Sequence, residues 1–261
     1  GLKDEKALQS YFIQRIEKFI ISKGRKMIGW DEILEGGLAP EATVMSWRGV
    51  EGAIAAARQG HDAIMTPGTH CYFDYYQADP DFEPAAIGGL ITLKKVYSFE
   101  PVPEELSRQE ARHILGAQGN LWTEFIPTPA QAEYMAVARM VALSEVTWTP
   151  PELKDWHDFQ VRMTEQYVRL LKMKVNVSRG SFKVDVRTEA DERGKGLKLI
   201  LDSEQFGLPI HYTLNGDEVT AESPVYSGPI PVTGNGLVRA AIFENGKMKE
   251  KETSMQLVLH K

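Results

Sequence analysis

Apolar residues recur at helical spacing near the start of the chain, where Leu8, Tyr11, Phe12, Ile16, Phe19 and Ile20 mark a helix predicted over residues 4–21. Gly24 and the basic run KGRK end it, and MIGW, residues 27–30, reads as a short buried strand. The unit then repeats. ATVMSW (42–47) is a second strand, VEGAIAAARQG (50–60) a helix closed by Gly60, and DAIMTP (62–67) a third strand. Short apolar strands separated by helices imply parallel pairing with helices on the outside. An irregular region over about 68–109 interrupts this rhythm, a length that points to a functional loop or inserted helical turns. ILGAQGNLW (114–122) is the next strand. TPAQ then opens a helix, with Thr128 as cap, Gln131 three residues on and Pro129 in the first turn. Tyr134, Val137, Val141 and Leu143 supply part of its buried face, and a further helix turns Trp156, Phe159, Met163, Tyr167 and Leu170 inward.

From about residue 175 the period changes from helical to alternating. FKVDVR, LKLIL, HYTLNG and LVRAAIF, with turn signals at NGDE and ENGK, predict an antiparallel sandwich. The chain is thus α/β over 1–175, followed by a small all-β domain over 176–261.

Composition narrows the chemistry mainly by exclusion. A formal charge of -6 with both signs interspersed gives no basis for a nucleic-acid partner. Cys71 is the only cysteine, so a disulfide scaffold and a cysteine-based zinc site are both excluded. His70, His113 and His157 are too dispersed to form a metal motif, and neither metal nor cofactor is expected. No apolar run is long enough for a transmembrane segment, and the opening GLKDEKAL has no hydrophobic signal segment.

The informative residues lie at the carboxyl ends of the predicted strands, at Trp30–Asp31, Trp47–Arg48, Thr66–Pro67 and Asn120–Trp122. Parallel β/α folds place their ligand sites there. One tryptophan could simply plug the top of a core. Three, beside Asp31, Arg48 and Glu124, favour a ligand pocket, because repeatedly burying unpaired charge is expensive. Indoles among carboxylates suit a sugar, whose CH face stacks on an aromatic plane while the acceptors take its hydroxyl hydrogens. Asp62, Asp79 and Asp81 read as loop or cap residues.

The motifs GWDEI, VMSWRG, MTPGTHCYFDYYQ and GAQGNLWTEFI resemble, in order and spacing, the second half of the catalytic barrel of glycoside hydrolase family 20, the β-N-acetylhexosaminidases. The tail from IHYTLNG to VRAAIFENGK resembles the small immunoglobulin- or fibronectin-like β domain often attached to them. The resemblance implies a partial (β/α)8 TIM barrel, about strands five to eight, and hydrolysis of terminal β-linked N-acetylhexosamine (GlcNAc or GalNAc) from oligosaccharides. It makes Trp30, Trp47 and Trp122 the pocket walls and Asp74 a pocket carboxylate. Tyr72 becomes the donor to the substrate acetamido oxygen, and Glu124 the acceptor of the hydroxyls at positions four and six. In the family the acetamido group is the nucleophile, and an adjacent Asp–Glu pair supplies the general acid and its orienting partner.

The resemblance places that pair before Gly1. WDE at residues 30–32 falls on the next strand, where Asp31 and Glu32 are expected to alternate in direction, and KDE at residues 3–5 reads as a helix start. The chain alone is therefore expected to be inactive, with its open half-sheet covered by the missing N-terminal half of the barrel or by a second copy. The parent is expected to be periplasmic, secreted or at a bacterial cell surface. A non-catalytic carbohydrate-binding protein on the same scaffold, or another glycosidase class, remain the alternatives.

Overall fold

A computed structural model of the protein describes residues 1–190 and 196–258. The first helix, α1 (Glu5–Ser22), starts where the Asp4 side chain accepts a hydrogen bond from the Ala7 amide at 2.9 Å, so KDE is indeed a helix cap. Its apolar stripe behaves differently from an ordinary amphipathic helix. Leu8, Tyr11, Phe12 and Phe19 are each at least half exposed, while the buried residues are Ser10 and Glu17. Ser10 donates to the Gly37 carbonyl at 2.8 Å and Glu17 accepts from the Glu41 amide at 2.9 Å. The helix docks by polar contacts to the loop before the second strand, with Ile13 and Ile20 reaching the core and the aromatic stripe turned outward.

The strands β1 (Ile28–Trp30), β2 (Thr43–Ser46), β3 (Ala63–Met65) and β4 (Ile114–Ala117) form one parallel sheet in sequence order. Between β2 and β3, α2 (Glu51–Arg58) lays Ala53 and Ala56 against the sheet. Its first turn is tied to β2 by Ser46, whose hydroxyl donates to the Gly49 carbonyl and accepts from the Ala53 amide. The long connection from β3 to β4 carries α3 (Leu93–Tyr97) and short 3-10 turns, as its length suggests. β4 stops at Ala117 rather than running to Trp122. Its pairing with β3 shifts register between Ala63 and Ile64, and Gly116 takes φ +139, so the chain leaves the ladder early.

Next come α4 (Pro129–Trp148) and α5 (Trp156–Lys172). Thr128 caps α4 by accepting from the Gln131 amide at 3.2 Å, with Pro129 in the first turn. On α4 the buried side is Met135, Ala138, Ala142, Leu143 and Val146; Tyr134, Val137 and Val141 are only half-buried. On α5, Phe159, Met163, Tyr167 and Leu170 are buried, with Trp156 partly so.

Among the described residues the antiparallel strands that follow are β5 (Asp185–Ala190), β6 (Leu197–Asp202), β7 (Ile210–Thr213), β8 (Ile230–Val232), β9 (Gly236–Glu244), β10 (Lys247–Met248) and β11 (Thr253–Leu257). One sheet is β5-β6-β8. In the other, β9 is shared by β7, β10 and β11. Leu199, Leu201, Val238, Ala240, Ile242 and Leu257 fill the space between them, as in a small sandwich. The turn joining β9 to β10 places Asn245 and Gly246 at φ 53 and 73, the twist that a two-residue hairpin loop needs.

Gly36 and Gly60 offer a matched test of how α1 is seated. Both sit in the left-handed region, at φ +80 and +79. A Cβ on Gly36 would lie 2.2 Å from the Lys6 carbonyl oxygen of α1, whereas one on Gly60 would meet nothing within 4 Å. Gly60→Ala should cost about 1 kcal/mol of backbone strain and Gly36→Ala roughly 1–2 kcal/mol more, read as the difference in denaturation midpoints. Equal losses would mean that α1 is not held against this turn.

Candidate active site

The first strand end is organised by Asp31. It is 2% exposed and opens a 3-10 turn, Asp31–Leu34. Its Oδ2 accepts from the Trp47 and Arg48 amides at 3.0 and 3.1 Å, and its Oδ1 from Arg48 Nε at 2.5 Å. Glu32 accepts the Trp47 indole N–H at 3.1–3.2 Å. The expectation that Asp31 and Glu32 alternate across a strand is corrected here: the backbone coils, and both carboxylates turn to the end of β2, where they fix Trp47 and Arg48. The other arm of Arg48 reaches Glu35 at 3.1 Å, and that bond holds the Glu35 carboxyl below the usual carboxylate range. The second residue of α2 must be small, since a Cβ on Gly52 would approach Asp31 Cβ to 2.9 Å and the Ser46 hydroxyl to 2.8 Å.

The loop after β3 is joined to the segment after β4 by one backbone bridge. The Phe73 amide donates to the Asn120 carbonyl at 2.6 Å and the Asn120 amide to the Cys71 carbonyl at 2.7 Å, so Tyr72 and Asn120 run side by side in parallel. The Asn120 side chain bonds Thr66 Oγ1 at 2.5 Å and accepts from Gln118 at 2.8 Å. Gly119 permits this approach, because a Cβ there would sit 2.4 Å from the Phe73 ring.

These contacts gather the aromatic residues into two neighbouring groups. Trp47 and Tyr72 have ring centroids 6.2 Å apart, Tyr72 and Tyr75 5.6 Å, and Trp30 and Trp122 5.7 Å. Trp30 ends β1 at one edge of the sheet, and Trp122 lies in the segment beyond the end of β4 at the other edge. Their contact shows that the segment after β4 returns across the end of the sheet to β1. The Tyr72 oxygen lies within reach of the Trp122 indole N–H and the Asn120 amide, and burial raises its pKa.

Asp74 is 4% exposed. Its carboxylate lies by its own amide and that of Trp122, but Oδ1 has no partner. Burial, and then the charge of nearby Glu124, push its pKa up. Glu124 itself is exposed, and Trp122 is partly so at 42%. Trp30, Trp47, Tyr72, Asp74, Trp122 and Glu124 are thus brought to one rim. The histidines go elsewhere: His70 stacks on Phe99 and is held down to a pKa of about 4 by burial, His113 pairs with Asp62 at 3.1 Å, and His157 packs on Phe206. Among the described residues no His, Cys, Asp or Glu cluster could hold a metal ion, and no helix is long and apolar enough to cross a membrane.

One residue that supports the rim escapes a reading for exposed chemistry. Arg139, on α4, is fully buried and donates to the carbonyls of Phe73, Tyr75, Ile91 and Met135, with its guanidinium 5.1 Å from the Phe73 ring centroid. Burial pulls its pKa down to about 9, opposed by the charges of Glu83 and Asp74. Its signal in the sequence is a lone cation inside an apolar stripe, four residues after Met135 and three before Ala142.

A family model described as glycosyl hydrolase family 20, catalytic domain, matches residues 1–151, and one described as chitobiase/beta-hexosaminidase C-terminal domain matches 192–255. A beta-hexosaminidase of Porphyromonas gingivalis is 44% identical over 255 residues, covering 95% of this chain and 32% of the relative. A beta-hexosaminidase of Vibrio furnissii is 35% identical over 55% of this chain and 24% of its own length. The chain therefore spans about a third or less of these curated relatives. Among solved structures, the GH20 exo beta-N-acetylglucosaminidase of Vibrio harveyi in complex with N-acetylglucosamine matches at TM-score 0.61 and 31% identity, over 68% of this chain and 28% of that one. The Streptomyces plicatus N-acetyl-beta-hexosaminidase, at 24% identity and TM-score 0.59, shares the fold over 65% of this chain and 35% of its own.

Removing the Arg139 guanidinium strips three loop carbonyls of their charged donor. Arg139→Met should destabilise by on the order of 3 kcal/mol or more, and Arg139→Lys, with a single ammonium for the same carbonyls, should recover only part of it. Urea denaturation checks this; a loss below about 1 kcal/mol for Arg139→Met would show that the loop finds its order without this group.

Proposed function

This chain belongs to glycosyl hydrolase family 20, and we propose that the whole protein is an exo-acting β-N-acetylhexosaminidase that releases terminal GlcNAc or GalNAc from oligosaccharides. The observation that carries this reading is the unpartnered Asp74 oxygen beside three indoles and Tyr72, with Glu124 at their outer edge. The aromatic planes take the apolar face of the terminal sugar, and the two carboxylates accept its hydroxyl hydrogens. Tyr72, whose oxygen already faces two N–H donors, keeps its hydroxyl hydrogen for the acetamido oxygen. That oxygen attacks the anomeric carbon as the glycosidic bond breaks, and the electron pair of the bond leaves with the aglycone oxygen. Water later opens the oxazolinium ring, giving net retention with no nucleophile from the protein. The Tyr72 bond strengthens as charge develops on the acetamido group, so its contribution belongs to the transition state.

The leaving oxygen needs a proton. Asp31 and Glu32 are committed to Trp47 and Arg48, and neither is free to supply it. We assign that step to the Asp–Glu pair that the family resemblance places before Gly1. General acid assistance contributes about 10²–10⁴-fold, so the 261-residue chain by itself is expected to show no appreciable turnover. The first half of the barrel, or a second copy, would cover β1, β4 and the exposed stripe of α1.

Three variants of the whole protein test the roles. Tyr72→Phe should lower kcat on p-nitrophenyl-β-N-acetylglucosaminide by about 10²-fold with little change in KM, while Glu124→Gln should weaken binding and raise KM. Unchanged turnover in the Tyr72 variant would remove that assignment. Sugar binding with no hydrolysis by the unsubstituted protein would instead favour a carbohydrate-binding role.

The raised pKa of Asp74 sets a pH signature. As pH falls, this buried carboxyl takes up a proton before an ordinary aspartate does, and an acceptor is lost. kcat/KM should therefore fall with an acid limb above the usual aspartate range, a limb that Asp74→Asn abolishes. Stability runs the opposite way: the contribution of protonated Asp74 is present at low pH and is lost as pH rises through its folded pKa.

A further inference from the structure

The strands after Gly180 contribute no side chain to the aromatic rim, yet they hold the segment that does. Phe82, eight residues beyond Asp74, has two ammonium groups over its ring, with Lys183 Nζ 4.2 Å and Lys251 Nζ 4.7 Å from the centroid. Lys183 Nζ also donates to the Lys251 carbonyl at 2.9 Å, which makes the two lysines one unit. Further along, the Glu204 carboxyl from the β6–β7 connection lies against the Thr92 hydroxyl and the Leu93 and Lys94 amides, at the first turn of α3. That connection is itself anchored to α5. Gln160 donates to the Glu204 carbonyl at 2.8 Å, Gln205 donates to Thr164 Oγ1 at 2.9 Å, and the Phe206 and His157 rings are 4.2 Å apart. A cleft of ≈460 Å³, lined by Gln77, Thr92, Lys183 and Glu204, runs along the seam.

The same segment is tied to α4 before and between the two grips. Tyr134 donates its hydroxyl to Glu83 at 2.7 Å, Gln77 donates to the Tyr134 carbonyl at 2.9 Å, and Arg139 collects the Phe73, Tyr75 and Ile91 carbonyls. Residues 72–92 contain no strand that pairs along its length, only the isolated bridges Tyr72–Asn120 and Tyr76–Leu90. A segment so poor in ladder hydrogen bonds takes its position from the groups at its sides. Productive chemistry tolerates about 0.5 Å of misplacement, a demand that falls here on Tyr72 and Asp74.

We propose that the C-terminal antiparallel sheets are a positioning element of the sugar pocket: Lys183 and Lys251 on Phe82, and Glu204 on Thr92–Lys94, fix the loop that presents Tyr72 and Asp74. The sheets act through the loop and touch no substrate. The link to catalysis rests on the hexosaminidase reading; the mechanical link does not.

Two readouts on the whole protein separate these. In hydrogen exchange, Glu204→Ala and Lys251→Met should each raise exchange across residues 72–92 by about threefold or more, with residues 28–46 of β1 and β2 unchanged. Glu204→Gln, which keeps an acceptor oxygen at the α3 turn, should stay near the unsubstituted protein. No rise in 72–92, or a rise shared equally by 28–46, overturns the proposal. In kinetics on p-nitrophenyl-β-N-acetylglucosaminide, the two loosening variants should lower kcat roughly fivefold with KM changed less than about twofold. A local rise in exchange with unaltered kcat overturns the positioning role. A local rise in a protein that hydrolyses no hexosaminide counts against the proposed function and leaves the grip on the loop supported.

Discussion

A guanidinium with no solvent is a severe constraint, and Arg139 satisfies it with backbone carbonyls rather than with a carboxylate in direct contact. Carbonyls of an irregular segment have no ladder to bond, so burying them needs a donor of this kind. The two requirements answer each other. The loop after β3 can run through the interior beside Phe73 because a fixed, multi-toothed donor waits there, and the donor can be buried because the loop supplies its acceptors. The positions of Tyr72 and Asp74, on either side of Phe73, follow from that exchange. Gly89 at φ +64, where a Cβ would overlap the Tyr75 ring at 2.2 Å, lets the far end of the loop fold back over the near end.

The segment after β4 contributes the rest of the rim. It runs back over the end of the sheet until Trp122 touches Trp30, the last residue of β1. Each indole then needs its orientation set, and for Trp47 the setting is done by Asp31 through the backbone and Glu32 through the ring nitrogen. The charges beside the tryptophans thus have two employments: those at the end of β1 hold protein, and those after β3 and β4 face the opening.

Much of this architecture was legible. The 3.6-residue period, the Thr128–Pro129 start and the Asn245–Gly246 turn carry local physics that tertiary structure had no reason to override. The rim residues were legible as strand-end aromatics beside acids, and as a family resemblance. What was not legible depended on partners distant in sequence. The stripe of α1 has the right period for burial, yet the helix is held through Ser10 and Glu17, because the loop it meets offers a carbonyl and an amide. Asp31 and Glu32 follow a strand and would alternate in direction if it continued, but the ligation of Asp31 by two amides and a guanidinium stabilises a 3-10 turn there. Arg139 carries only the weak signal of a cation in an apolar stripe, since nothing local says that three carbonyls of another segment will converge on it.

The contrast between Asp31 and Asp74 is the most instructive for reading carboxylates in such a fold. Both are nearly inaccessible, at 2% and 4% exposure, and both follow a barrel strand. Asp31 has both oxygens bonded, to two amides and a cation, and its burial is balanced within the protein. Asp74 has an oxygen with no donor, and burial first, with its acidic neighbour Glu124 adding to it, raises its pKa. A carboxylate left in that condition is destabilising unless something arrives to complete it. Sugar hydroxyls are suitable donors: they are neutral, directional, and presented on a ring whose other face the indoles can cover. Burial alone would have ranked the two aspartates as equals, and sequence neighbours favoured Asp31, which sits next to a tryptophan. It is the accounting of donors, atom by atom, that assigns one to the scaffold and the other to the ligand.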